Sequence, residues 1–176
     1  LSKHKIPATR IRVPNKTYAF EDKVYGPTSQ NLAGSCGDFI VQRADDVFAY
    51  QLAVVVDDAD MGVTEVVRGS DLLSSTPRQL YLQDVLGFSH PIYAHLPLLV
   101  APDGRRLSKR NHDLDLGVLR DQGKTPEEIL GFLAYCIGLA EKEEPLSAVQ
   151  VANRFSWDVL RAHRKNVVVE HFSYVL

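Results

Sequence analysis

The segment from Val63 to Val100 restricts the fold more than any other part of the chain. "VTEVVRG" is rich in β-branched residues and stops at Gly69. "STPRQLYLQDVLG" follows with helix signals: Thr76 as N-cap, Pro77 at the first helical position, Gln79 completing a capping box and Gly87 as the stop. "IYAHLPLLV" then reads as a buried strand. Strand, helix, strand within so short a span is the pattern of a parallel sheet with a crossover helix, and hence of an α/β fold. Ligands of such sheets gather at the carboxyl ends of the strands. Arg68 ends one strand, and the run "GRRLSKRNHD" follows another.

On either side of this unit the pattern changes. Residues 1–36 carry short alternating stretches, "ATRIRVP" and "TYAFED", with a turn cluster at "YGPTSQN". "DFIVQR" is a further strand candidate. "VFAYQLAVVVDDADMG" is long enough for a helix over part of its length, with Gly62 as a C-cap. From 113 to 176 the signals are helical. Thr125 and Glu128 form one capping box and Ser147 with Gln150 another, and Ser156 opens a third helix. Leu130, Leu133, Ala134 and Ile137 mark one apolar face. Three segments are expected: 1–36, 37–112 and 113–176.

Charge excludes one class of function. With 20 basic and 22 acidic side chains in 176 residues, the chain is not a general polyanion coat. Yet Arg105, Arg106, Lys109 and Arg110 crowd together behind the turn "PDG". Such a run is either a solvated loop or a phosphate grip, in which lysine supplies a point charge and Ser108 a hydroxyl donor. Cys36 and Cys136 have neither CxxC nor Cys/His spacing, so no self-contained zinc site is expected and a reducing cytoplasm is the default. No apolar run reaches the ~18 residues of a membrane span.

The ordered blocks "FAYQLAVVVDD", "MGVTEVVRGSDLLSSTPRQLYL" and "YAHLPLLVAPDGRRLSKR" strongly resemble the glutamyl class I aminoacyl-tRNA synthetases. "RLSKR" (Arg106, Leu107, Ser108, Lys109, Arg110) is similar to their second signature loop. Within the family, "FAYQLAVVVDD" with "SKRNHD" is most similar to the small glutamyl-Q branch, which attaches glutamate to queuosine of tRNA(Asp). The resemblance implies the second half of a Rossmann-like catalytic domain at 37–112. It implies the tail of an inserted acceptor-binding region at 1–36 and a helical stem-contact lobe at 113–176. It also implies ATP with its accompanying Mg²⁺, L-glutamate and tRNA as substrates and partners, tRNA(Asp) before tRNA(Glu), in a monomeric cytoplasmic ligase.

The site residues follow from the same resemblance. Lys109 and Ser108 are the catalytic pair, Tyr50 and Arg68 bind glutamate, and Leu98, Leu99, Arg106, Leu107 and Arg110 join Ser108 and Lys109 around ATP. Read by their chemistry alone, Tyr50 is a core aromatic, Arg68 an ion-pair partner of Asp71 or Asp57, and His95 a satisfied core histidine. Asp57 and Asp58 suit a solvated helix end better than a metal site. The family's first signature, its N-terminal glutamate-binding residues and its zinc-binding cysteines have no counterpart here. The segment is therefore expected to begin inside the insertion and to be inactive alone. A conventional glutamyl-tRNA synthetase cut before its anticodon domain, and a non-catalytic tRNA-binding module, remain open.

Overall fold

The computed structural model describes residues 7–107 and 115–169. The chain forms two compact units that divide between His95 and Leu96. The expected boundaries near 36 and 112 do not coincide with this division.

In the first unit, β1 (Thr9–Ile11) pairs antiparallel with β4 (Phe39–Gln42) as a separate two-stranded sheet. "DFIVQR" is thus a strand, but it does not join the main sheet as the α/β reading of 37–112 implied. Its outer groups are satisfied by a hairpin-like return, with Ala49 N–H donating to Val41 C=O. The main sheet contains β2 (Thr17–Asp22), β3 (Gly26–Asn31), β5 (Glu65–Gly69) and β6 (Ile92–Leu96) in the order β3–β2–β6–β5. β2 and β3 are antiparallel, in register from Thr17 opposite Asn31 to Asp22 opposite Gly26. β2 and β6 are parallel, with Asp22 opposite Tyr93. The sheet is therefore mixed, and its antiparallel part comes from the residues before 36.

Between β5 and β6 the chain makes a 3₁₀ turn (Ser70–Ser75) and α3 (Thr76–Leu86). Gly87 closes α3 in the left-handed region at φ 73°, as its sequence position implies. The cap at Thr76 does not form. Thr76 already has helical geometry, because the preceding 3₁₀ turn runs straight into α3, and the helix start has no side-chain cap. Leu80 of α3 packs with Tyr18, Tyr93 and Leu32 of the short helix α1 (Leu32–Ser35) in the core of this unit. α2 (Tyr50–Asp60) fulfils the helical expectation for "FAYQLAVVVDD", with Gly62 at φ 68° just beyond it.

The expected strand "IYAHLPLLV" is two. Pro97 has no N–H for a ladder bond, and the chain breaks there into β6 and β7 (Leu99–Val100). In the second unit β7 pairs in parallel with β8 (Val167–Val168), a strand with no warning in the sequence. Around them lie α4 (Leu116–Asp121), α5 (Pro126–Cys136), α6 (Ala148–Arg154) and α7 (Trp157–Ala162). Both capping boxes form, Thr125 with Glu128 and Ser147 with Gln150, and Ser156 caps α7. Of the expected face of α5, Ala134 is buried and Leu133 and Ile137 pack partly buried against the core, and Gly131 and Phe132 widen that face. Among the described residues, no helix is long and apolar enough to cross a membrane.

Candidate active site

Arg68 sits at the carboxyl end of β5 and is half-buried. Three protein groups hold its guanidinium. Nε donates to His95 Nε2 at 3.0 Å, and Nη2 donates to Thr76 Oγ1 at 2.9 Å and to the Leu72 carbonyl at 3.4 Å. The guanidinium carbon lies 5.3 Å from the centre of the Tyr93 ring, within cation–π range. Among the described residues Nη1 has no hydrogen-bond partner, and its two N–H groups are the donors left for a ligand. This is a held cation with one open edge, which suits a carboxylate. The bonds that orient it go to β6, α3 and the 3₁₀ turn between β5 and α3 rather than to Asp71 or Asp57.

Behind Arg68 the network continues inward. His95, on β6, is completely buried, and its Nδ1 lies 2.6 Å from Asp22 Oδ2. Asp22 is 1% exposed, and its Oδ1 accepts the backbone N–H groups of Val24, Tyr25 and His95. Burial alone pushes the Asp22 carboxyl up. The bonds from the His95 ring and from the N–H groups of Tyr25, Val24 and His95 outweigh that and hold it below its ordinary value. His95 is thus a satisfied core histidine, as its apolar strand implied, though its partner is an acid on a different strand.

A second set of hydrogen bonds holds α2 to the segment that opens α3. Gln51 donates to Ser75 Oγ at 3.0 Å, and Gln79 donates to Gln51 Oε1 at 2.9 Å. Thr76 and Gln79, expected as a capping box, are instead spent on Arg68 and Gln51. These bonds pin the first turn of α2, where Tyr50 is the first residue. Tyr50 is 51% exposed, so it is no core aromatic. Tyr50 and Arg68 are therefore positioned by two sets of hydrogen bonds within the first unit, which meet at the adjacent residues Ser75 and Thr76.

In the second unit Leu98 and Leu99 lead into the basic run. The Leu98 N–H donates to Asn166 Oδ1 at 3.0 Å and its carbonyl accepts from Val167 N–H at 2.9 Å. The Leu98 backbone groups are thus taken up by the Asn166 side chain and by Val167 of β8. The Leu99 side chain packs against the cluster of Leu119, Phe132 and Val169. "APDGRR" is a tight reversal. Gly104 has φ 79°, Ala101 N–H donates to the Arg105 carbonyl, and Val100 bridges Arg106. Arg105 pairs with Asp103, its solvated-loop role. Arg106 is exposed and Leu107 half-buried. Ser108, Lys109 and Arg110 lie outside the described residues.

Sequence reasoning missed Asp22, Gln51 and the roles of Thr76 and Gln79. Asp22 carried one usable signal, since an acid that ends an alternating strand before a turn often accepts backbone N–H groups there. Asp57 and Asp58 lie in the last turn of α2, where their carbonyls accept from Met61 and Val63. No group of three or more His, Cys, Asp or Glu side chains able to hold a metal occurs among the described residues. Burial pushes the Cys136 thiol up to about 11, which makes it a poor nucleophile.

The family model for the catalytic domain of class I tRNA synthetases (E and Q) matches residues 2–173. Over 163 residues the chain is 47% identical to the glutamyl-Q tRNA(Asp) synthetase of Symbiobacterium thermophilum, covering 93% of this chain and 50% of that protein. Over 112 residues it is 58% identical to the enzyme of the same name from Geobacter sulfurreducens, covering 64% and 36%. A crystal structure of a glutamate tRNA ligase from Elizabethkingia meningosepticum, in complex with its amino acid, has the same fold. It matches with a TM-score of 0.74 and 24% identity over 90% of this chain and 35% of that one. The chain spans half or less of the length of these relatives.

Proposed function

Because the chain belongs to the class I tRNA synthetase (E and Q) catalytic-domain family, we propose that the intact protein is a ligase that activates L-glutamate with ATP and transfers it to queuosine of tRNA(Asp). The observation that carries this reading is the Arg68 guanidinium, held from behind by His95, Thr76 and Leu72 with Nη1 left open. The names of the relatives in Symbiobacterium and Geobacter support the acceptor.

The chemistry divides among the residues as follows. Arg68 binds a glutamate carboxylate through its open edge, and the Tyr50 hydroxyl adds a hydrogen bond that helps select the amino acid. The α-carboxylate of glutamate attacks the α-phosphorus of ATP, forming glutamyl-adenylate and releasing pyrophosphate. Charge grows on the leaving β- and γ-phosphates, and Lys109 neutralises it. Ser108 and the loop backbone position that lysine. Arg106 and Arg110 add positive charge, Leu107 anchors the loop, and Leu98 and Leu99 lie beside the adenosine. Mg²⁺ enters with ATP as part of the substrate. Attack by queuosine on the adenylate then transfers the glutamyl group and releases AMP.

Glutamate-dependent ATP–pyrophosphate exchange by the intact protein tests the first half. Arg68→Ala is expected to raise the KM for glutamate about ten- to a hundredfold, the ~1.5–3 kcal/mol of a charge-assisted contact, with little change for ATP. Equal effects on both substrates would remove Arg68 from the glutamate site. Lys109→Ala is expected to lower kcat for exchange while glutamate affinity stays nearly constant. For the second half, tRNA(Asp) with queuosine should accept glutamate, whereas tRNA(Asp) without it and tRNA(Glu) should not. Efficient charging of tRNA(Glu) would make the protein a conventional glutamyl-tRNA synthetase. Binding of tRNA with no exchange would leave a non-catalytic module.

A further inference from the structure

We infer that Asp22 and His95 are positioning residues for Arg68: Asp22 fixes the tautomer of His95, and the His95 Nε2 lone pair then orients the guanidinium toward its ligand. That the ligand is glutamate rests on the function proposed above; the relay itself does not.

The donors and acceptors allow one arrangement. Asp22 Oδ1 is taken up by three backbone N–H groups, from Val24 at 3.0 Å, Tyr25 at 2.9 Å and His95 at 3.3 Å. Oδ2 is left for the imidazole and lies 2.6 Å from Nδ1. A carboxylate that accepts on both oxygens requires the proton on Nδ1. On the other side, Arg68 Nε is 3.0 Å from Nε2. A guanidinium N–H only donates, so Nε2 must present its lone pair. His95 is therefore neutral with its proton on Nδ1. A second proton on the ring would set two donors face to face.

Other contacts keep the ring and the guanidinium in place. The Tyr93 ring stacks near His95, with centroids 6.2 Å apart and planes 15° from parallel, and it also underlies the guanidinium of Arg68. Thr76 Oγ1 accepts from Nη2 and lies 3.4 Å from Nε2. β2, β6, β5 and α3 thus all contribute to the group, and Asp22 on β2 acts on Arg68 only through His95. A side chain that only filled the core would not need an acid on one nitrogen and a cation on the other.

Two measurements on the intact protein test this. In ¹⁵N-histidine-labelled protein, the His95 resonance is assigned by its loss in His95→Gln. Its two nitrogen shifts should report a neutral ring with the proton on Nδ1. A proton on Nε2, or on both nitrogens, would overturn the relay. Glutamate-dependent exchange then compares two replacements of similar size. Gln can place an amide oxygen where Nε2 stands, whereas the shorter Asn retains a donor for Asp22 but offers nothing to Arg68. His95→Gln is expected to keep the KM for glutamate within about threefold of wild type. His95→Asn should raise it about tenfold or more, with the KM for ATP unchanged in both. Similar values for the two variants, or parallel changes for both substrates, would reduce His95 to a packing residue. Should the wild type show no glutamate-dependent exchange, the proposed function fails, and the tautomer still decides the relay.

Discussion

Gly131→Ala tests the packing of the second unit most severely. Residue 131 is in the middle of α5, where alanine is intrinsically preferred to glycine by about 1 kcal/mol. An exposed helix would gain that amount. Here the added Cβ would stand 1.8 Å from the Glu144 carbonyl oxygen, 2.8 Å from its carbon and 3.3 Å from Leu146 N. All three atoms are backbone, so no side chain can swing aside. The segment 144–146 must retreat by more than an ångström. That strains the bond from Leu146 N–H to the Glu127 carbonyl, now 2.9 Å, and loosens Leu146, which is 2% exposed. Overpacking costs up to ~3 kcal/mol and the weakened hydrogen bond ~1 kcal/mol. Set against the helix gain, the net loss is about 3 kcal/mol, or roughly 12–24 °C in the midpoint of a unit this size. Trp157 is the only tryptophan in the chain and lies on α7 in the same unit, so its fluorescence during urea or thermal unfolding reports this unit directly. An unchanged or raised midpoint would show that helix propensity outweighs the contact, and that α5 does not approach residues 144–146 as described.

Gly138→Ala should cost about 1–2 kcal/mol, because φ there is +79° and a Cβ would meet the His163 ring at 2.5–2.7 Å. Adding His163→Ala should restore the steric part and leave the backbone part; full recovery in unfolding experiments would refute a backbone cost. Thr76→Val should raise the KM for glutamate about three- to tenfold by removing an acceptor from Arg68. It should leave the stability of α3 nearly unchanged, and a large loss of stability without a KM effect would restore Thr76 to a capping role. Asp22 titrates below its ordinary value in the folded chain, so its contribution is complete above about pH 4 and is lost as pH falls through the folded pKa. Stability measured between about pH 5 and 2 should accordingly fall less steeply in Asp22→Asn than in wild type, and equal slopes would contradict a buried carboxylate held by these hydrogen bonds.

Local chemistry made a good part of the molecule legible in one dimension. Thr125, Ser147 and Ser156 cap their helices because the bonds they make lie within three residues of each. Gly62 and Gly87 end helices because a left-handed residue is needed directly after the last turn. The ordered blocks around Tyr50 and Arg68 pointed to the family by resemblance, and the match over residues 2–173 bears that out. What distant partners decide could not be read this way. β2 reaches the main sheet only because Asp22 lies beside Tyr93, seventy-one residues on by their numbering. β8 exists only because β7 is there to pair with it. Thr76 carries every local sign of a cap, but the 3₁₀ turn before it leaves no free helix start, and its hydroxyl serves Arg68 instead. Arg68 itself could be singled out from the sequence, whereas the reason it points one way could not. That reason is a neutral histidine from β6 and a carboxylate from β2, brought together by strand order, and a hydrogen bond between residues so far apart leaves no spacing in the sequence to find.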